Sequence, residues 1–158
     1  MDEFEQWYRE VYPRVVTTLT VVLGSTEDAA DASAEAFLRA YQRWDRVVGM
    51  DRPDGWVYRV ALNVGRRHGR RRRADAARSR AVALPFRTAE ATEALDEFQA
   101  LVEGLSDRMK GVLALRYVAD LTEPMIADVL RISRSTVSST LRDAYARIER
   151  SLDAEERR

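Results

Sequence analysis

The sequence predicts an all-α fold made of two small helical domains, and three observations support this prediction. Apolar residues recur at the i, i+3, i+4 and i+7 spacing of a core-facing helix through most of the 158 residues. No segment sustains the alternation of apolar and polar residues that is typical of a half-buried strand. The helical spacing stops after residue 73 and resumes at residue 93. We therefore expect a domain at 1–73, a flexible linker at 74–92, a domain at 93–152 and a short tail at 153–158.

The first segment carries an apolar stripe that runs from Phe4 to Leu19. Pro13 lies inside this stripe. Because proline has no backbone N–H and its ring clashes with the preceding turn, we expect a kink or a break, with a second helix opening at Pro13. Gly24 is suited to end the segment, since glycine readily adopts the left-handed conformation that closes many helices.

The next helix is predicted to start at Ser25 or Thr26, either of which can cap it, and to end near Asp45. Its apolar stripe consists of Ala29, Ala32, Ala36, Phe37, Ala40, Tyr41 and Trp44. Its carboxylates, Glu27, Asp28, Asp31 and Glu35, share another face. Paired carboxylates can form a hydrolytic or metal site, but no glycine-rich phosphate loop or histidine cluster accompanies them. A solvated face or an acidic protein-docking patch is the favoured interpretation.

A basic helix is predicted to follow a loop at Val47 to Asp54 and to begin near Pro53. Trp56, Val57, Val60, Ala61 and Val64 share its apolar face. The opposite face holds Arg59, Asn63, Arg66, Arg67 and Arg70. Arginines can follow phosphates, while asparagine and aromatic residues such as Trp56 and Tyr58 can contact unpaired bases. Two alternatives to nucleic-acid binding stay open. Trp56 can belong to the core, and the arginines can serve only to solubilise the helix.

Charge is distributed unevenly although the formal net charge is zero. Residues 52–80 hold ten basic and two acidic residues, a net charge of +8, and the segments on either side are acidic. Such asymmetry indicates a polyanionic partner for the middle of the chain, or a solvated arginine-rich linker.

The strongest local signal is a helix-turn-helix pattern at residues 122–148. Before it, one helix is predicted on the stripe from Leu95 to Leu105 and another after the capping residue Ser106. In the pattern itself, Thr122 caps a short helix with Pro124 in its first turn, and a tight turn at 131–133 precedes a longer helix. The exposed start of that helix consists of Arg134, Ser135, Thr136, Ser138, Ser139 and Arg142. Such side chains suit the major groove, and the alternative is a helical hairpin with a polar outer face.

The turn carries Arg131 where such turns usually have glycine. A non-glycine residue with positive φ costs on the order of 1 kcal/mol.

Composition excludes several function classes. Cysteine is absent and His68 is the single histidine, which excludes disulfides, thiolate metal sites and histidine clusters. No apolar run approaches the length of a membrane span, and the acidic N-terminus is unlike a signal peptide. We expect a soluble cytoplasmic protein with no cofactor, no bound metal and no membrane insertion.

Three segments in order carry a resemblance to a known family: TEDAADASAEAFLRAYQRWDR, then RPDGWVYRVALNVGRRHGRRRR, then the helix-turn-helix segment that ends at RIERSL. Together they resemble the extracytoplasmic-function (ECF) sigma factors, the smallest bacterial initiation factors of the sigma-70 type. The likeness runs from Phe4 to Leu152 and is greatest to the actinobacterial-type group often labelled the SigE family. It implies a non-enzymatic subunit that directs RNA polymerase to promoters.

For residues 1–73 the resemblance implies sigma region 2. The helix from Asp31 to Trp44 would dock on the β′ clamp helices of core polymerase. The residues implied in polymerase binding are Asp31, Glu35, Arg39 and Gln42. Those implied in recognition and melting of the minus-ten element are Trp56, Arg59, Asn63, Arg66, Arg67 and Arg70. The loop at 47–54 would capture a flipped-out base.

For residues 93–152 the resemblance implies region 4, which docks on the β flap and reads the minus-thirty-five element. The implied contacts are Arg134, Ser135, Thr136, Ser138, Ser139 and Arg142. An anti-sigma factor acting from outside is the family expectation.

The chain departs from the family pattern at several positions. Ala34 replaces the usual glutamine of the docking helix, and Ser138 and Thr140 stand where basic residues are usual. Asp143 adds a negative charge beside the expected phosphates. We therefore expect weak minus-thirty-five affinity, since each lost phosphate contact flattens the salt dependence by about one log–log unit.

Three other functions fit parts of the sequence. A stand-alone helix-turn-helix regulator would bind duplex DNA without polymerase and would leave the basic block unexplained. An all-α enzyme would use the carboxylate face and require a metal. An adaptor held by protein contacts alone is disfavoured by the basic block.

Overall fold

The computed structural model of the chain describes residues 2–78 and 93–158, and these contain helices and no strand. In chain order the helices are α1 (Glu3–Leu23), α2 (Thr26–Gln42), α3 (Trp44–Val47), α4 (Pro53–Arg78), α5 (Glu93–Val102), α6 (Asp107–Tyr117), α7 (Glu123–Leu130) and α8 (Arg134–Glu156). The chain divides into two compact units, Met1–Thr88 and Ala89–Arg158. The predicted all-α, two-domain fold is confirmed. Residues 74–78 of the predicted linker are helical, and residues 79–92 lie outside the described residues.

In the first unit α1 runs unbroken through Pro13, so the predicted break, with a second helix opening at this residue, is wrong. Val11 and Val15, one on each side of the proline, are both buried and keep one continuous apolar face against the core. Pro13 itself is exposed, and its carbonyl accepts a hydrogen bond from Thr17 Oγ1 at 2.9 Å. Burial of this face offsets the cost of about 3 kcal/mol that an interior proline carries.

The end of α2 lies at Gln42, three residues before the predicted end at Asp45. Arg43 leaves helical geometry (φ −125°, ψ 26°), and Trp44–Val47 form the short helix α3. Trp44 packs against the aromatic ring of Phe4 at a centroid distance of 5.2 Å. This contact holds α3 against α1. Because α3 ends at Val47 and α4 begins at Pro53, the loop between them spans only residues 48–52.

The start of α4 is fixed by a hydrogen bond from α1: Trp7 Nε1 donates to Asp54 Oδ1 at 2.7 Å. Further along, α4 approaches α1 and α2 closely at Gly65, where an added Cβ would lie 2.6 Å from Leu23 Cδ1 and 3.4 Å from Ala32 Cβ. Helices α1, α2 and α4 therefore pack mutually around one core, which orients the opposite side of α4 toward solvent.

The caps form as predicted. Gly24 is left-handed (φ 69°) at the end of α1, and Ser25 accepts from the backbone N–H of Asp28. In the second unit Ser106 and Thr122 cap α6 and α7 in the same way. Such caps are each worth about 1 kcal/mol.

Arg131 ends α7 in the left-handed conformation (φ 55°, ψ 45°), as the glycine-like position in the turn predicts. Arg131→Gly is therefore expected to raise the free energy of unfolding by about 1 kcal/mol, because glycine adopts this conformation without strain. Urea denaturation followed by circular dichroism measures the change.

Arg142→Gly is the matched control for this substitution. Arg142 is exposed inside α8, where glycine is expected to lower the free energy of unfolding by about 1 kcal/mol. Destabilisation by both substitutions would contradict the conformational account of Arg131.

Candidate polymerase and nucleic-acid interfaces

The exposed face of α2 combines polar and apolar side chains. Asp31 and Gln42 are exposed, while Glu35 and Arg39 are half-buried. Leu38 and Tyr41, which extend this face, are 56% and 61% exposed. The sequence interpretation placed Tyr41 in the core stripe, which is wrong, and it missed Leu38. Leu38 lies seven residues after Asp31, so helical spacing alone could have placed it on this face.

The carboxylates of α2 are largely engaged by cations. Glu35 forms an ion pair with Arg39, and its Oε2 lies 3.7 Å from His68 Nε2 of α4. Arg72 of α4 binds Asp28 and Glu27 at 3.1 and 3.3 Å. Across the two described ranges, no group of three or more histidine or acidic residues is placed to hold a metal ion. The acidic side of α2 thus contacts the basic half of α4.

The outer side of α4 presents the predicted nucleic-acid residues. Asn63, Arg67 and Arg70 are exposed, and Arg59 and Arg66 are half-buried. The structure therefore places these five residues on one accessible surface of α4. Trp56, also in the predicted set, is half-buried. This exposure lies between that expected for a core residue and that expected for a nucleic-acid contact.

Tyr58 was predicted to accompany Trp56 in contacting bases, and this is wrong. Its side chain is 2% exposed and belongs to the core between the helices. Burial raises the pKa of Tyr58 to about 12, an effect that neighbouring Thr18 and Arg14 oppose. The residue therefore stabilises the fold and is not available to a base.

In the second unit, the start of α8 is held by a network of hydroxyl groups. Ser133 Oγ lies 2.7 Å from Thr136 Oγ1 and 3.0 Å from Ser135 Oγ, and it accepts from the Thr136 backbone N–H at 3.1 Å. Arg134, Ser135, Ser139 and Arg142 are exposed, and Thr136 and Ser138 are half-buried. The predicted recognition residues thus lie around the accessible start of α8.

Two residues near this surface differ from the sequence interpretation. Thr140 is only 8% exposed, so its side chain packs in the core and is itself not available to a phosphate. Glu123 of α7 was missed: its Oε1 accepts a hydrogen bond from Ser138 Oγ at 3.2 Å. No local pattern reveals this contact, because the two residues lie fifteen positions apart on different helices.

A pair of tyrosines lies on the same unit. The hydroxyls of Tyr117 and Tyr145 hydrogen-bond to each other, and Arg116 lies over the Tyr117 ring at 5.8 Å from its centroid. Tyr117 is 55% exposed and Tyr145 is 44% exposed, so the pair lies at the surface of this unit. Burial, followed by the contact with Tyr117, raises the pKa of Tyr145 to about 12.

Comparison with known families accounts for both units. The pattern of Sigma-70 region 2 matches residues 7–75, and that of Sigma-70, region 4 matches residues 101–150. The chain belongs to the sigma-70 family. The predicted resemblance is thereby confirmed, and the function of the chain is that of an RNA polymerase sigma factor of the ECF type.

Named relatives agree with this assignment. The RNA polymerase sigma-E factor of Streptomyces avermitilis is 25% identical, over 96% of this chain and 86% of the relative. The ECF RNA polymerase sigma factor SigW of Bacillus subtilis is 26% identical, over 76% of this chain and 73% of the relative.

Solved structures show the same fold. The sigma factor RpoE of Bartonella quintana, crystallised with the anti-sigma factor NepR, gives a TM-score of 0.78 at 16% identity and covers 97% of this chain and 98% of its own. CnrH, in complex with the cytosolic domain of CnrY, gives a TM-score of 0.67 at 22% identity and covers 96% of this chain and 88% of its own. None of the described helices is long and apolar enough to cross a membrane.

Proposed function

We propose that this sigma factor docks on the β′ clamp helices of core polymerase through the α2 face formed by Asp31, Glu35, Leu38, Arg39, Tyr41 and Gln42. The carrying observation is that this face exposes two large apolar side chains among charged ones. Apolar anchors surrounded by polar groups are the usual composition of a protein-binding hot spot.

The ion pair between Glu35 and Arg39 does not oppose docking. Both side chains are more than a third exposed, and an exposed pair at i, i+4 contributes a few tenths of a kcal/mol. Glu35 can therefore exchange Arg39 for a cation of the polymerase at little cost.

The proposed promoter contacts lie on the accessible surfaces of α4 and α8. Trp56, Arg59, Asn63, Arg66, Arg67 and Arg70 would bind the melted minus-ten element, and the loop at 48–52 would receive a flipped base. Opening a base step costs a few kcal/mol, which arginine–phosphate and asparagine–base contacts on α4 would offset. Arg134, Ser135, Thr136, Ser138, Ser139 and Arg142 of α8 would bind the minus-thirty-five duplex.

The chain supplies no catalytic group, acts in the cytoplasm, and leaves RNA synthesis to the core enzyme. The second unit docks on the β flap. An anti-sigma protein is the proposed negative regulator, as the complex of the relative RpoE with NepR suggests.

Gel filtration of the purified chain with core RNA polymerase that lacks any sigma factor tests the proposed docking. We expect co-elution of the chain with the core, and loss of co-elution for the Asp31→Arg, Glu35→Arg double variant. Failure of the unsubstituted chain to co-elute would contradict docking and favour a stand-alone DNA-binding protein.

Weak minus-thirty-five affinity is a second expected property. Asp143 is exposed on α8, and its charge would oppose the phosphates of a duplex bound to this helix. Asp143→Lys is expected to strengthen duplex binding by the full chain and to steepen its log–log salt slope by about one unit. Filter binding across a salt series measures the slope, and an unchanged slope would show that no phosphate approaches this residue.

A further inference from the structure

The carboxylate of Glu123 lies beside the proposed DNA-reading helix. Its Oε1 accepts a hydrogen bond from Ser138 Oγ at 3.2 Å, and both side chains stay partly open to solvent. Glu123 also contributes, after larger effects of burial and Tyr117, to the raised pKa of Tyr145. Glu123 therefore lies beside α8 and binds Ser138, a residue already proposed to contact the minus-thirty-five element.

The hydrogen bond between Ser138 and Glu123 determines which hydrogen-bonding groups the two side chains can still present to DNA. The hydroxyl hydrogen of Ser138 is used in donation to Glu123, so its oxygen has only lone pairs left. An ionised carboxylate has no hydrogen to donate. The pair thus presents acceptors only.

The four bases differ in the groups that their major-groove edges would present to such a pair of acceptors. Cytosine and adenine each present an exocyclic amine, which donates, whereas the edges of guanine and thymine present acceptors. An acceptor-only pair attracts the first two bases and repels the others. A carboxylate also weakens binding to phosphates in general, so its presence on this surface trades affinity for selectivity.

We propose that Glu123 and Ser138 together select cytosine or adenine on one strand at one position of the upstream promoter element, with Glu123 as the specificity-determining residue. This inference rests on the proposed reading of duplex DNA by α8. Glu123 enters as a residue of the preceding helix, α7, which supplies one side of the reading surface.

The test uses the full chain bound to core polymerase and a library of promoter fragments randomised across the upstream element. Sequencing of the retained fragments gives base frequencies at each position. Every base pair carries one of the two amines, so the strand that carries the amine is the diagnostic feature. For the unsubstituted chain we expect one position at which cytosine and adenine are both accepted on the same strand, while guanine and thymine are rejected there. Glu123→Gln adds a donor and removes the charge, and it is expected to reduce that preference about tenfold, since one good base contact discriminates by about 1–3 kcal/mol.

Asp143→Asn is the matched control, because it removes a carboxylate charge from another exposed position of the same unit and leaves the hydrogen bond between Ser138 and Glu123 in place. We expect it to increase retention of all fragments and to leave base frequencies unchanged. Ser138→Ala removes the other member of the pair and is expected to reduce the same preference as Glu123→Gln.

Two results would overturn the inference, and they differ in what else they affect. If the unsubstituted chain shows upstream preferences that Glu123→Gln leaves intact, Glu123 does not determine the base preference, while the proposed reading by α8 stands. If the unsubstituted chain retains fragments with no upstream preference at all, both the inference and the proposed role of α8 fail.

Discussion

Leu38→Asp is expected to weaken binding of the chain to core RNA polymerase by about thirtyfold or more. Leu38 is 56% exposed at the centre of the α2 face, between Glu35 and Tyr41. Truncation or charging of a central apolar anchor costs about 2 kcal/mol or more of binding free energy. Titration of the fluorescently labelled chain with core polymerase measures the dissociation constant.

Leu101→Asp is the matched control for this substitution. Leu101 is another exposed leucine, 43% accessible, in the second unit, and the substitution introduces the same charge. We expect its effect on core binding to be much smaller. Equal losses for the two variants would mean that the α2 face is not the principal docking surface.

The second large effect is expected in promoter opening. Asn63→Ala combined with Arg67→Ala is expected to reduce opening by about a hundredfold while core binding stays close to that of the unsubstituted chain. Both residues are exposed on the outer side of α4. Loss of two hydrogen bonds to charged or unpaired groups, each worth roughly 1.5 kcal/mol, accounts for this magnitude. Fluorescence of 2-aminopurine placed in the minus-ten element reports opening.

Arg147→Ala with Arg150→Ala controls for a general loss of positive charge. These arginines are exposed near the end of α8, away from the proposed reading residues. We expect them to alter opening by less than the α4 substitutions. A comparable loss from both pairs would indicate that α4 contributes net charge and not specific contacts.

Local chemistry was predictable from the sequence where a single residue type decides the outcome. Gly24 and Arg131 both adopt the left-handed conformation that their positions after a helix require. Ser106 and Thr122 cap the helices that follow them. In each case the decisive interaction lies within one helical turn, so its residues are neighbours in sequence.

Tertiary packing decided the positions that sequence reasoning placed wrongly. Tyr58 and Tyr41 are both aromatic residues on amphipathic helices, yet Tyr58 is buried and Tyr41 is exposed. Which residue of an apolar stripe faces a neighbour depends on how the helices cross, and periodicity does not give this angle. Pro13 likewise stays within a helix because long-range burial outweighs a local preference.

Some features of the candidate site were likewise predictable from the sequence, and others depended on tertiary packing. The exposure of Asn63, Arg67 and Arg70 follows from their spacing opposite the apolar face of α4, and it was predictable. The contacts of Glu123 with Ser138, and of Arg72 with Asp28, join different helices. Contacts of this kind depend on the fold as a whole, and no motif in the sequence indicates them.

The proposed function assigns polymerase docking to α2 and promoter opening to α4, so that one small unit carries both. The most direct test is transcription in vitro from the genomic DNA of the source organism, with core polymerase and the purified chain, followed by sequencing of transcript 5′ ends. We predict discrete start sites that depend on the chain. They should disappear with Leu38→Asp through loss of docking, and with Asn63→Ala, Arg67→Ala although that variant still binds the core. The same start sites with and without the chain would contradict this account.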